Sequence, residues 1–473
     1  MSRSSLRSAA LSFAIAFGLL QAGLAANVDR RPAAPLAGAG TISLRELQGG
    51  AWRVRFDLPR PVARLDLGPH LLGYRSRSWR VLDDGVEIVV ENGRDVLRAT
   101  RSGGRFSAAR VDVAPQAIRM LRTYEALTPF GDGGVLIYTG HFQPWGENGA
   151  RRDMAISVEP LLGRRVSAFG DVGPRLENWR SRFENPAFIY VGETPAVRNS
   201  KLVAAIDPET PDWAAREVGA FVIEVTDYLS GRFGWPLKAT PNLFLSYGGN
   251  ATPGRAMFEG DALPAQMRIG LRGGAWDTRS EFAENVLRQG LAHEAAHLWQ
   301  TAARPISEDA PDWIHEGGAD AIAAETLVAL GWWGAPDLER DRAEARSRCF
   351  FMLRGASLPA LEARGQVAAS YDCGHLINEL VARAHPEGAV GFWRAFVNRA
   401  RAAGGYDADL FFGLAGELGG ERFGEALRRF AILPQGRPAE AYLAAERALG
   451  AGLANQRIEA ADADPSIAKA GDH

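Results

Sequence analysis

Lysine is nearly missing from this chain. Of 54 basic residues only Lys201, Lys238 and Lys469 are lysines. With 56 acidic residues the net charge is −2. That balance gives no electrostatic reason to bind nucleic acid or an anionic membrane surface. An arginine bias among many alanines and glycines is the composition of a GC-rich bacterial gene and carries no functional content. Cysteine is equally scarce: Cys349 and Cys373 allow one disulfide in an exported chain. There is no convincing internal repeat. Beyond the first 26 residues no apolar run is long enough for a membrane helix.

Those first 26 residues have the layout of a secretory signal. Arg3 and Arg7 supply the charged start, and Ala9 to Leu20 is an apolar run too short to span a bilayer. Ala22 to Ala26 supply small residues for cleavage after Ala25 or Ala26. No cysteine follows that point, so no lipid anchor is expected there. The expected location is periplasmic or secreted, in a bacterium, without stable membrane insertion.

At 473 residues and 46% hydrophobic content the chain can bury ample core, and two or three domains are expected. Residues 27–160 read as β-rich. Trp52, Val54, Phe56 and Leu58 alternate with Arg53, Arg55 and Asp57, the pattern of a half-buried strand. Asp84-Gly85 and Asn92-Gly93 are hairpin-turn signals around Val86 to Val90. Residues 161–345 read as mixed α/β, with buried strands at Phe188 to Val191 and Leu243 to Leu245. Thr210-Pro211 opens a helix that runs to about Ser230. Residues 346–455 read as helical, and the polar stretch 456–473 as a disordered tail.

The chemistry concentrates at His293-Glu294-Ala295-Ala296-His297. On a helix, residues four apart lie on one face, so two imidazoles at this spacing can share one zinc ion. Glu294 then projects beside the metal, where a carboxylate can act as general base on a zinc-activated water. Thr278 and Glu281 form a capping box at the start of the helix, and Phe282, Val286, Leu287, Leu291 and Leu298 follow at helical spacing. Gly290 leaves room for close approach on the ligand face.

A catalytic zinc usually has three protein ligands and one open position. Eighteen residues separate His297 from Glu316, enough to leave the helix, cross a proline-containing loop and begin a second helix. Glu316 is the expected third ligand. Asp320, one turn on, can accept a hydrogen bond from a ligand histidine and fix its tautomer. His315 is expected to point away, since adjacent helical residues do not share a face. One zinc ion per chain is expected, although this ligand set also accepts neighbouring transition metals.

These residues resemble the gluzincin zinc metallopeptidases of clan MA. The 18-residue gap, the H-E-x-x-H-x-W form ending at Trp299 and the W-x-x-E-G form around Glu316 are closest to the M1 aminopeptidases and their M61 relatives. The specific resemblance covers roughly residues 280–376. It implies a multidomain fold: an N-terminal β-sandwich, a thermolysin-like α/β catalytic domain, and a helical C-terminal lobe carrying Tyr371. In that family a downstream tyrosine, followed three residues later by glycine, hydrogen-bonds the oxyanion. Tyr371, with Gly374 after it and 55 residues beyond Glu316, fits that place. His375, one turn further, is a possible assistant to the same oxyanion.

M1 aminopeptidases also carry a G-x-M-E-N segment whose glutamate anchors the free amino terminus of the substrate. Here Met267 to Trp276 is the corresponding stretch, and it contains no glutamate. It is expected to be an edge strand that pairs with an extended substrate.

Together these features predict a zinc metallopeptidase acting on a peptide or protein substrate. The sites are His293, His297 and Glu316 for the metal, with Glu294 and Tyr371 as catalytic residues. A second reading is a zinc-stabilised binding or scaffold protein on a peptidase fold. A third is hydrolysis of a non-peptide amide or an ester at the same site.

Overall fold

The computed structural model describes residues 40–70, 73–115, 124–146, 152, 154–181, 186–303 and 310–463. The signal-like segment 1–26 and residues 464–473 lie outside them.

The amino-terminal part is three β-sheets, of six, five and three strands, packed on one core. A six-stranded sheet runs in the order Leu176–Trp179, Ala155–Glu159, Thr41–Glu46, Trp52–Val62, Phe106–Val113, Trp79–Val81. Trp52, Val54 and Phe56 point inward as their alternation predicts. They meet Val135, Ile137, Ile189 and Val191 from a five-stranded sheet. Asn92 and Gly93 both have positive φ and close the hairpin between Val86–Glu91 and Arg94–Ala99, the backbone that an Asn-Gly pair favours.

Phe188–Gly192 is placed differently from the sequence reading. It pairs with Val135–Tyr138 and Arg165–Ala168, so the β-rich region extends past residue 160 to about Gly192. Both faces of these strands are buried, and they read as unbroken apolar runs that do not say which sheet they join. Their outer face, Leu136, Tyr138, Phe188 and Tyr190, packs on Ala205, Phe244 and Leu263 of the next sheet.

That next sheet positions the site. Val203–Ile206, Asn242–Tyr247 and Gln266–Arg272 run parallel, and Met257–Leu263 lies antiparallel at the edge. The helix Asp212–Phe233 makes the crossover between the first two and ends at left-handed Gly234. The expected edge strand is therefore displaced. Gln266–Arg272 is interior, because Met267, Ile269 and Leu271 bury one face under the helices while Asn242–Tyr247 and Met257–Leu263 take its two sides. The edge strand is Met257–Leu263, one strand earlier in the chain.

Two helices then cross the open end: a metal helix, Glu281–Gln300, and a glutamate helix, Asp312–Ala329. The carboxy-terminal lobe is helical, and its tyrosine helix, Ala368–Ala384, packs directly on the glutamate helix. Glycines allow that approach. A Cβ on Gly317 would lie 2.0 Å from the Gly374 backbone, and one on Gly374 would lie 2.3 Å from the Trp313 carbonyl oxygen. Glu362 reinforces the junction, accepting from Trp313 N–H at 3.0 Å and from the Ser370 hydroxyl at 2.9 Å.

Cys349 and Cys373 form a disulfide across 24 residues. It ties the helix Ala335–Leu353 to the tyrosine helix and stabilises by roughly 3 kcal/mol on the loop-entropy account. The last helix, Pro438–Ala463, continues through residues 456–463, where composition predicted disorder.

Replacing Gly317 with alanine is expected to force the two helices apart and destabilise the fold by about 1–3 kcal/mol. Thermal or denaturant unfolding measures this, and an unchanged midpoint would contradict the close packing.

Candidate metal centre

The metal helix buries its first side chain, Ala283, within its first turn. Its cap is Ser280, whose hydroxyl accepts from Ala283 N–H at 3.2 Å, so the capping residue is not Thr278. Arg279 pairs with Glu284 on the outside of that turn. Leu287, Leu291 and Leu298 face the core, whereas Phe282 is 58% exposed. Gly290 receives the Phe258 ring, which a Cβ would meet at 2.5 Å. In this way the helix is pressed onto the edge strand.

His293 and His297, one turn apart, present their Nε2 atoms 3.0 Å from each other. Glu316 Oε2 completes the triangle, 3.2 Å from His293 Nε2 and 3.4 Å from His297 Nε2. The far side of each ring is engaged. His293 Nδ1 is 2.7 Å from Asp320 Oδ1, and His297 Nδ1 is 2.6 Å from Gln300 Oε1. Both partners are acceptors, so each imidazole carries its proton on Nδ1 and turns a bare Nε2 lone pair inward. Two such lone pairs and a carboxylate oxygen repel one another unless a cation sits between them. Ligand atoms 2.0–2.1 Å from one tetrahedral ion lie about 3.4 Å apart, and this triangle is close to that size. The donor set and its dimensions fit zinc.

The electrostatics agree. Burial opposes a charge on His293, but Asp320 and Glu316 outweigh it and push its pKa well above the usual imidazole value. Burial likewise opposes ionisation of Glu316, yet His297 and His293 hold its carboxyl well below the usual range. Without a metal, a proton is thus drawn into the place of the cation.

Glu294 is buried and leans on the edge strand at Gly260, where a Cβ would fall 2.2 Å from Glu294 Oε1. Its Oε2 has no hydrogen-bond partner among the described residues. Burial raises its pKa, against the two histidines and with a further push from Glu316. Tyr371 stacks on His293 with ring centroids 5.6 Å apart, with Glu316 within electrostatic reach of its hydroxyl. Burial of the hydroxyl, then Glu316 and Glu294, drive its pKa upward, so it stays a donor. His375 points elsewhere: its Nε2 is 3.6 Å from Asp341 Oδ2 on the helix Ala335–Leu353.

Three features escaped the sequence reading. Gln300, three residues after His297, orients that ligand and donates from Nε2 to the His315 carbonyl at 3.0 Å. The i, i+3 spacing was the available signal. His315 does not turn away. Its ring lies flat against His297, centroids 4.3 Å apart, with Tyr406 Oη 3.3 Å from its Nδ1. Finally, the true edge strand does carry acids, Glu259 and Asp261, on either side of Gly260.

No family model matches the chain, and no curated protein matches it. Solved structures do. An aminopeptidase N family protein from Idiomarina loihiensis superposes with a TM-score of 0.62 at 12% identity, covering 85% of this chain and 78% of that one. An M1 zinc metallopeptidase from Deinococcus radiodurans has 17% identity and a TM-score of 0.47, covering 84% and 95%. The first of these likenesses establishes the fold: this chain has the architecture of the aminopeptidase N family.

Substituting Gln300 by leucine, which keeps the volume and removes the acceptor, is expected to weaken zinc binding about 10- to 100-fold without unfolding the chain. Competition with a chelating dye reads this directly. Because a proton must leave His293 when the metal enters, affinity should also rise about tenfold per pH unit below the raised pKa and level off above it. An affinity independent of pH over that range would contradict the assignment.

Proposed function

We propose that this chain is an exported zinc metallopeptidase that cleaves peptide bonds in a thermolysin-like site. The observation that carries the reading is the triangle of His293, His297 and Glu316, with Glu294 buried one residue from the first ligand and Tyr371 stacked on it. A structural zinc would call for a fourth protein ligand, whereas among the described residues this site has three. A buried carboxyl whose Oε2 has no hydrogen-bond partner among the described residues, and a phenol held protonated at the site's edge, favour an enzyme over a scaffold.

Zinc held by these three residues supplies Lewis acidity, lowering the pKa of a water and polarising a carbonyl. The protein groups do the rest. Glu294, its pKa raised by burial, takes a proton from the attacking water and returns it to the leaving amine. The Tyr371 hydroxyl donates to the oxygen that becomes negative as the carbonyl carbon turns tetrahedral. Met257–Leu263 is the edge of its sheet, and an extended peptide can add along it as a further strand. Gly260 leaves that peptide close to Glu294. Export rests on the charged and apolar opening of the sequence, with the mature chain periplasmic or secreted.

Glu294→Gln is expected to keep its zinc and lose hydrolysis by about a thousandfold, within the range of a general base. Tyr371→Phe should lower kcat by about 100- to 1000-fold with little change in KM, as loss of one oxyanion donor does. Mass spectrometry of a digested peptide library, alongside metal analysis, tests both. Undiminished cleavage by Glu294→Gln would overturn the mechanism.

A further inference from the structure

The tyrosine helix is held in two different ways along its length. From Gly374 onward it buries Leu376, Ile377, Leu380 and Val381 in the core. Before Gly374 its buried residues are Ala369, Ser370 and Cys373, all small. Among the described residues no side chain caps the first turn, which borders an open hollow of about 510 Å³ beside Phe351 and Met352. Tyr371 lies in this thinly packed part, 40% exposed, with its ring on His293. Side chains on a helix lean toward its start, so Tyr371 draws little support from the well-packed turns behind it.

The contact of Gly317 with Gly374 sets how closely the glutamate helix approaches. Two glycines have no side chains to interlock, so this contact leaves rotation and sliding of the first turns to other bonds. Those bonds come from the helix Ala335–Leu353. Cys349 is joined to Cys373, and Arg348 donates from Nε to Asp372 Oδ1 at 2.9 Å. Asp372 and Cys373 are the two residues that follow Tyr371, and both sulfurs are fully buried. The metal ligands have separate supports. His293 and His297 are locked by Asp320 and Gln300, which belong to the glutamate and metal helices. A change at the disulfide therefore reaches the phenol before it reaches the metal.

We propose that the Cys349–Cys373 disulfide, with the Arg348–Asp372 pair beside it, positions the Tyr371 hydroxyl for the oxyanion. The proposal rests on the peptidase reading above and adds positioning residues to it. A phenol hydroxyl stands far from the helix axis, so a small turn of the helix moves it most. A misplacement of about 1 Å costs on the order of 100-fold in rate. A chain whose two thiols are still free would bind zinc and peptide and turn over slowly.

The test is a mutant cycle on the full zinc-loaded chain, with peptides from the digested library as substrates and zinc per chain read alongside kcat and KM. Replacing both Cys349 and Cys373 with serine is expected to lower kcat by about tenfold or more, with KM within about threefold of wild type and the zinc retained. In a Tyr371→Phe background the same replacement should change kcat by less than about twofold, because the group it positions is gone. Arg348→Gln, at a half-exposed position, should lower kcat about threefold, Arg348→Lys should restore it, and Tyr371→Phe should abolish the difference. Wild-type kcat in the folded serine pair overturns the proposal. So does loss of its zinc, or a loss of kcat of equal size in both backgrounds. Where the serine pair does not fold, Arg348→Gln decides: wild-type kcat, or a loss that persists beside Tyr371→Phe, overturns the proposal. All of these leave the peptidase reading intact. Cleavage of no peptide by zinc-loaded wild type overturns that reading, and this proposal falls with it.

Discussion

Three electron-rich atoms, from His293, His297 and Glu316, are held within 3.0–3.4 Å of one another in a buried pocket. Left alone they would repel, and much of the surrounding structure serves to keep them together. Asp320 and Gln300 lock the two rings from behind, and the stacked rings of His315 and Tyr371 leave them little room to rotate. A cation turns this strained convergence into a stable one, which is why metal affinity, protonation and the geometry of the cleft are coupled here.

The convergence depends on helices that approach more closely than ordinary side chains permit. Glu316 reaches the histidines because the glutamate helix is squeezed between the metal helix and the tyrosine helix, with Gly317 against Gly374 and Gly318 against Trp393. The same contact delivers Tyr371 to the ring of His293. The disulfide at Cys373, two residues from Tyr371, and the Glu362 bonds to Trp313 and Ser370 fix that helix from its other sides. Catalytic geometry and fold stability thus share one set of contacts, and a substitution at the helix junction would disturb both.

On the opposite wall the edge strand is shaped by absence of side chains at Gly260 and Gly290, which lets the sheet, Phe258 and Glu294 interlock. The other face of that strand is shaped by charge. Arg268 and Arg272 draw the sandwich, through Glu125, onto the catalytic sheet. One strand therefore meets Glu294 on one side and an ionic cluster shared with the sandwich on the other.

What could be read from the sequence was local. A helix puts residues four apart on one face by its own geometry, so the pair of histidines, the intervening glutamate and the alternation of Trp52, Val54 and Phe56 were legible without a partner. The tertiary structure decided what depends on distant segments meeting. Phe188–Gly192 joins the sandwich and not the catalytic sheet, Met257–Leu263 takes the edge in place of Gln266–Arg272, His315 folds onto His297, and Glu125 reaches Arg268 across 143 positions of chain. Strands buried on both faces and charged side chains with several possible partners look alike in sequence, because their energy lies in contacts that exist only once the layers have packed.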